Sequence, residues 1–211
     1  MSEILERIKE AKEKSKKRRF KQTWDFSINL KGIDLKKPEN RFSVDFALPE
    51  GRGKDTKVVI FADSLASEAR KIADLVITKE QIESFAKNKK KVKEIANKYD
   101  WFFGEAPLMP LIAKAFGTIL GPRGKIPKPI PPKANLESLV QAARKMVRVS
   151  LKGSPVIHVP VGTEDMPEEK IAANIQAVYN FAKEKLPKGR TNIKSTQIKL
   201  TMGKPVKLKL E

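Results

Sequence analysis

The stretches GPRGK (121–125) and GRGK (51–54) set glycine beside a cation, the chemistry of a loop that wraps a phosphate. A phosphate loop needs Gly-x-x-x-x-Gly-Lys-Ser/Thr, so that backbone amides cradle the phosphates and the hydroxyl reaches the metal. Neither stretch complies: Ile126 follows Lys125, Asp55 follows Lys54, and the earlier glycine is missing from both. No Gly-x-Gly-x-x-Gly follows VVIFA (58–62), where a dinucleotide fingerprint belongs. The carboxylate pairs Glu164-Asp165 and Glu168-Glu169 precede a helical pattern, where the dipole favours acids, and read as caps before catalysts. The single histidine, His158, lies in apolar PVIHVPVG and reads as a packed structural residue. With no cysteine, disulfides, thiolate zinc sites and cysteine nucleophiles are excluded. Nothing here asks for a reaction, a metal or a cofactor.

Binding chemistry is better represented. In RRFKQTWDF (18–26) cations flank Phe20, and Thr23 adds a hydroxyl three residues on. RNA recognition uses such mixtures: planar groups for bases, cations for phosphate, hydroxyls and backbone for the 2′-OH. Near the other end, TQIKLTMGKPVKLKL (196–210) alternates apolar and basic residues until Thr201-Met202-Gly203 interrupts it. Glycine inside a strand costs backbone entropy, and Pro205 removes a ladder donor. The interruption is a frayed basic tail, a bulge, or a surface built to touch something.

Charge selects among ligands. The chain has 211 residues, 44 Lys+Arg against 25 Asp+Glu, and a formal charge of +19. A polyanion is the natural partner, since each neutralised phosphate releases condensed counterions. A heat-adapted surface would mix both signs rather than run so far to one side. The N-terminus has no apolar signal core, and no apolar run approaches the ~20 residues a bilayer requires, so no membrane partner is expected. At 40% hydrophobic residues the chain can bury a core.

The elements that must position these groups follow from periodicity. Residues 3–19 read as an amphipathic helix with a cationic end. Phe20–Leu30 and Arg41–Pro49 alternate as strands. From KVVIFA (57–62) onward, apolar runs alternate with helical patterns, which predicts an α/β layer sandwich. LGPRGKIPKPIPPK (120–133), with its Gly and Pro, predicts an extended loop carrying Arg123, Lys125, Lys128 and Lys133. VRVSLKGSPVIHVPVG (147–162) predicts a hairpin turning at Lys152-Gly153-Ser154, and 167–186 a helix. Strand-rich patterns at both ends around a strand-helix middle predict a discontinuous domain, 1–62 with 151–211, interrupted by an inserted domain, 63–150.

Taken together and in order, RFKQTWDFSINLKGID, KPENR, LPEGRGK, LGPRGKIPKP and KLTMGKPVK resemble the universal large-subunit ribosomal protein L-one family, the ribosomal side-stalk protein, in its archaeal form. The resemblance covers essentially the whole chain. It implies a two-domain α/β fold: a two-layer domain from both termini with an inserted Rossmann-like α/β/α domain. It also implies a non-enzymatic, cytoplasmic protein, a monomer off the ribosome. As implied partners it brings large-subunit rRNA, exit-site tRNA whose release the stalk assists, and the protein's own mRNA leader, which many members repress. A nonspecific basic nucleic-acid-binding or chaperone protein is the alternative, and a nucleotide-using enzyme built on the middle domain a further rival.

Carried over by position, the implied rRNA contacts are Phe20 and Thr23, matching Phe-x-x-Thr/Ser in the first strand, and Thr201, Met202 and Gly203, matching Thr-Met-Gly in the last. Arg19 stands at a commonly basic position, and Ser195 aligns with a polar contact. Lys204-Pro205 departs from relatives that place proline directly after the glycine. Arg123 and Lys125 of the inserted domain are secondary RNA candidates.

Overall fold

The computed structural model describes residues 2–131 and 135–210. Lys133 of the Pro-rich stretch lies outside the described residues. The chain divides into two compact units, Met1–Lys54 with Lys145–Glu211, and Asp55–Arg144.

In the terminal unit, α1 (Ser2–Glu13), β1 (Thr23–Leu30), β2 (Phe42–Ala47), β7 (Met146–Leu151), β8 (Val156–Thr163), α7 (Glu168–Lys185), β9 (Ile193–Leu200) and β10 (Val206–Leu208) form a mixed α/β assembly. The main sheet runs β10-β9-β1-β8, antiparallel throughout. β1 alternates strictly, and β8 and β9 over most of their length, because one face is covered and the other is not. Trp24, Phe26, Ile28 and Leu30 of β1 point inward with Ile157, Val159 and Val161 of β8 and Ile198 and Leu200 of β9. Opposite them lie Ile4, Ile8 and Ala11 of α1 and Ile171, Ile175, Val178 and Ala182 of α7, within one core. Burying each such side chain contributes about 1.5–3 kcal/mol, which fixes the register of every strand against a one-residue slip. α7 places Glu168 and Glu169 in its first turn and Lys183 and Lys185 in its last, so its charges complement its dipole.

The inserted unit is a parallel sheet of order β4-β3-β5-β6, made from β3 (Val58–Phe61), β4 (Leu75–Ile77), β5 (Trp101–Glu105) and β6 (Lys128–Ile130). Between the strands run α2 (Ala66–Ile72), α3 (Lys79–Lys87), α4 (Lys89–Lys98) and α5 (Met109–Leu120), and α6 (Leu136–Lys145) follows β6. β3 is buried at every position, as its unbroken apolar run requires for a strand covered on both faces. Val59, Phe61 and Phe102 pack with Ile82, Val92, Ala96, Ile112 and Phe116 of α3, α4 and α5.

Several expectations change. The unit boundaries fall at 54/55 and 144/145, not 62/63 and 150/151. β3 ladders with β4 and β5 and so belongs to the insertion, whereas β7 ladders with β2 and so belongs to the terminal unit. The hairpin over 147–162 does not form: β7 pairs only with β2 while β8 joins the main sheet beside β1. Part of the Pro-rich stretch is regular after all, because β6 is an edge strand, where Pro129 needs no ladder donor on its free side. Finally, α1 ends at Glu13 and β1 begins only at Thr23, so Arg19 and Phe20 precede the strand rather than alternate within it.

Candidate nucleic-acid interface

Thr201, Met202 and Gly203 are the turn between β9 and β10, not a defect inside a strand. The Gly203 N–H donates to the Leu200 carbonyl at 2.8 Å, closing a four-residue turn. This turn is fastened to the chain entering β1. The Thr201 N–H donates to the Thr23 carbonyl at 3.1 Å, and the Thr201 hydroxyl both accepts from the Thr23 N–H at 3.1 Å and contacts that carbonyl at 3.2 Å. The hydroxyl thus continues the β1–β9 ladder one step beyond its last backbone pair, Trp24 with Leu200.

Gln22, which the sequence did not single out as a site residue, is the second fastening. It is buried, takes the Met202 N–H on its Oε1 at 3.2 Å, and donates Nε2 to the Lys16 carbonyl at 3.3 Å. Its carbonyl accepts from the Glu164 N–H at 2.9 Å. One signal was legible: extending the inward positions Trp24, Phe26 and Ile28 back by two residues reaches Gln22, a polar side chain on the buried face.

Gly203 has an internal cause. A Cβ there would overlap Ser15 Oγ and lie 3.3 Å from Leu200 Cβ. The Ser15 side chain, on the segment after α1, therefore occupies the space that a side chain at position 203 would need. Ser15 Oγ is itself buried and without a hydrogen-bond partner.

Met202 on this turn and Phe20, three residues before β1, lie in solvent, 59% and 52% exposed. Around Phe20 run the exposed cations Lys17, Arg18, Arg19 and Lys21, and Lys204 follows the turn. Lys21 is paired with Asp165 at 2.7 Å, a hydrogen bond that raises the ammonium's pKa. The structure thus gathers Arg19, Phe20, Thr23, Thr201, Met202 and Gly203 at one end of the sheet. Ser195 stands at the other end of β9, about 20 Å away at the rise of a strand, where its hydroxyl accepts from Asn29 Nδ2 at 3.0 Å.

Between these ends lies the uncovered sheet face, with Asp25, Ser27 and Asn29 of β1, Gln197 and Lys199 of β9, and His158 of β8. His158 is exposed there, with Nδ1 2.8 Å from Ser27 Oγ, which corrects its reading as a packed residue; the strand's alternation turns Ile157 and Val159 inward instead. Burial among these strands raises the Asp25 carboxyl above the ordinary carboxylate value, against the opposing pull of Lys199 and His158.

The secondary candidates sit in the inserted unit and differ from each other. Lys125 turns inward and donates its ammonium to the carbonyls of Ala96 at 2.9 Å and Tyr99 at 2.6 Å, capping α4. Arg123 remains exposed, 3.4 Å from the Lys93 carbonyl. At the carboxyl ends of β3 and β5, where a Rossmann-type sheet takes its phosphate ligand, Glu105 accepts on one oxygen from Asp63 N–H (3.1 Å), Ser64 Oγ (3.1 Å) and Leu65 N–H (2.8 Å). A carboxylate already fills that cradle. Among the described residues no helix is long and apolar enough to cross a membrane.

The fold and this surface define a class of protein: two α/β units, the one built from both termini presenting a hydrogen-bonded turn beside a cation-rich segment, with Met202 exposed on the first and Phe20 on the second. Comparison with known sequences makes the class specific. The chain belongs to the ribosomal protein L1p/L10e family, whose model matches residues 11–204, a family of ribosomal structural proteins rather than enzymes. It is similar to the large ribosomal subunit protein uL1 of Methanothermobacter thermautotrophicus, 47% identical over 208 residues and 98% of each chain. It is likewise similar to uL1 of Thermococcus kodakarensis, 47% identical over 97% of this chain and 96% of the relative, and of Methanocaldococcus jannaschii, 46% identical over 99% and 95%. It is therefore an archaeal-type member.

Proposed function

We propose that this protein is a structural rRNA-binding component of the large ribosomal subunit's side stalk, working in the cytoplasm as part of the ribosome and a monomer away from it. It assists release of deacylated tRNA from the exit site, and through the same surface it binds its own mRNA leader and represses translation. Family membership supports the ribosomal setting. The observation that carries the site is the exposure of Phe20 and Met202 beside a turn that Thr23, Gln22 and Thr201 tie by hydrogen bonds to the chain entering β1. Exposed apolar side chains beside a hydroxyl and cations are what a folded RNA can use against ribose and base faces. Cations around them supply the salt-dependent attraction.

Filter binding of an rRNA stalk fragment tests this. Thr201→Ala is expected to weaken binding about 5- to 150-fold, the range of roughly 1–3 kcal/mol for one lost hydrogen bond buried in the complex, and Met202→Ala to weaken it measurably, while Thr201→Ser keeps the hydroxyl and binds nearly as wild type. If both alanine variants bind like wild type, the site assignment is wrong. Unlabelled leader RNA should displace the stalk fragment from the same surface. Displacement by unrelated RNA at equal concentration would favour a nonspecific chaperone instead.

A further inference from the structure

The LGPRGK motif meets the lysine-rich helix α4 within the inserted unit. Its turn closes through Gly124 N–H to the Gly121 carbonyl at 2.9 Å and Lys125 N–H to the Leu120 carbonyl at 3.0 Å, with Gly124 in the left-handed region at φ +69°. The turn sends its two cations opposite ways. Lys125 goes inward to the carboxyl end of α4 and offsets that end's partial negative charge, while Arg123 lies exposed beside Lys93.

Helix α4 carries Lys89, Lys90, Lys91, Lys93 and Lys98 against a single acid, Glu94. Val92 and Ala96 are its buried positions, so at about 100° per residue Lys90, Lys91, Lys93 and Lys98 fall on the solvent side. Among the described residues, Lys89, Lys90, Lys91 and Lys93 have no ion-pair partner. Three of these lysines occupy the first turn, which holds no acid, where the dipole disfavours cations, and Lys89 and Lys93 repel at i,i+4. A helix that only needed solvation would be more stable with acids there. A polyanion lying across it turns each of these repulsions into an attraction.

We propose that the exposed face of α4, extended by Arg123, is a second phosphate-binding surface whose ligand is the backbone of an RNA helix. No aromatic ring lies exposed on this helix for stacking, since Tyr99 beyond its end is buried, which favours duplex backbone over unpaired bases. Recognition here is sequence-independent, because lysines contact phosphate and read no base edge. The proposal rests on the RNA-binding reading above but concerns other residues in the other unit.

The test is binding of the full-length protein to a short RNA duplex of arbitrary sequence, by fluorescence anisotropy across a salt series. K90Q/K91Q/K93Q is expected to lower the salt slope by about 2–3 units and to weaken binding at moderate salt by about 10- to 100-fold. R123Q should lower the slope by about one more unit. The control K183Q/K185Q/K188Q removes the same charge from the end of α7 and beyond, and is expected to change the slope much less. Thermal melting of the α4 variant should be no lower than wild type, since the lost lysines oppose the helix dipole. Equal effects of the two triples would reduce the result to net charge and overturn the proposal, as would an unchanged slope. Loss of binding to anionic lipid vesicles with RNA binding intact would also overturn it, in favour of a membrane surface. Failure of Thr201→Ala to affect the stalk fragment would sink the earlier reading and leave this outcome separately readable.

Discussion

Gly203 shows how one residue can carry two explanations that a variant series separates. A glycine in a surface turn suggests close approach by a ligand, yet here Ser15 of the same chain already stands where its side chain would be. Gly203→Ala should therefore destabilise the free protein by about 1–3 kcal/mol, as overpacking does. Ser15→Ala should cost little, because its hydroxyl is buried and unpaired. The double variant Ser15→Ala with Gly203→Ala should recover most of the loss in a denaturant melt, since the overlapping atom is gone. Additive losses would mean that the clash is not the reason for the glycine. If the stabilised double variant still binds RNA poorly, the glycine also serves the ligand. Thr201 is different: its hydroxyl finishes a ladder, so its loss removes rigidity as well as a polar contact.

At the scale of elements, the open face of the main sheet and its covered face obey different rules. Asp25 is the acid on the open face, half-buried between its neighbours, with its pKa raised by that burial. Because the folded form holds its proton more readily than the unfolded chain does, the ionised carboxylate subtracts from stability at neutral pH. That penalty is relieved as pH falls through the raised pKa. Asp25→Asn should then melt higher than wild type at neutral pH, with the difference shrinking through the acid range; a lower melting point at neutral pH would contradict the sign. On the covered side, Asn174 of α7 is fully buried and links three elements. Its Nδ2 donates to the carbonyls of Gly51 and Val161, both at 2.8 Å, and its Oδ1 accepts from the Glu50 N–H at 3.1 Å. Asn174→Ala would strand these buried backbone groups and is expected to cost at least about 2 kcal/mol in chemical denaturation; a loss within a few tenths would mean that water replaces the amide.

The whole molecule consists of a unit made of two distant chain segments and a unit inserted between them. Within the terminal unit the two crossing points are neighbours: the Leu48 N–H donates to the Lys145 carbonyl at 3.0 Å, and Gly51 lies beside the Lys145 side chain. A protein of 1–54 joined to 145–211 by a short glycine linker should therefore fold without the insertion. It is expected to retain most of its affinity for the rRNA stalk fragment, with a smaller salt slope because the α4 lysines are gone. A folded protein that has lost the RNA would place the primary site on the inserted unit.

By itself, the sequence determined a charge of +19 that favours a polyanionic ligand; the family, through motifs spread along the whole chain; and the covered face of β1 and α7, through their periods. Those properties are local or summed, so they survive in one dimension. Tertiary structure alone decided which strands pair: β7 and β8 are adjacent in sequence yet join different sheets, because alternation specifies a face and not a neighbour. It alone decided that Gln22 holds the turn at Met202, 180 residues away, and that Ser15 excludes a side chain at Gly203. And it alone separated Arg123 from Lys125, two cations with one residue between them, since only packing against α4 determines which one meets solvent and which one caps a helix.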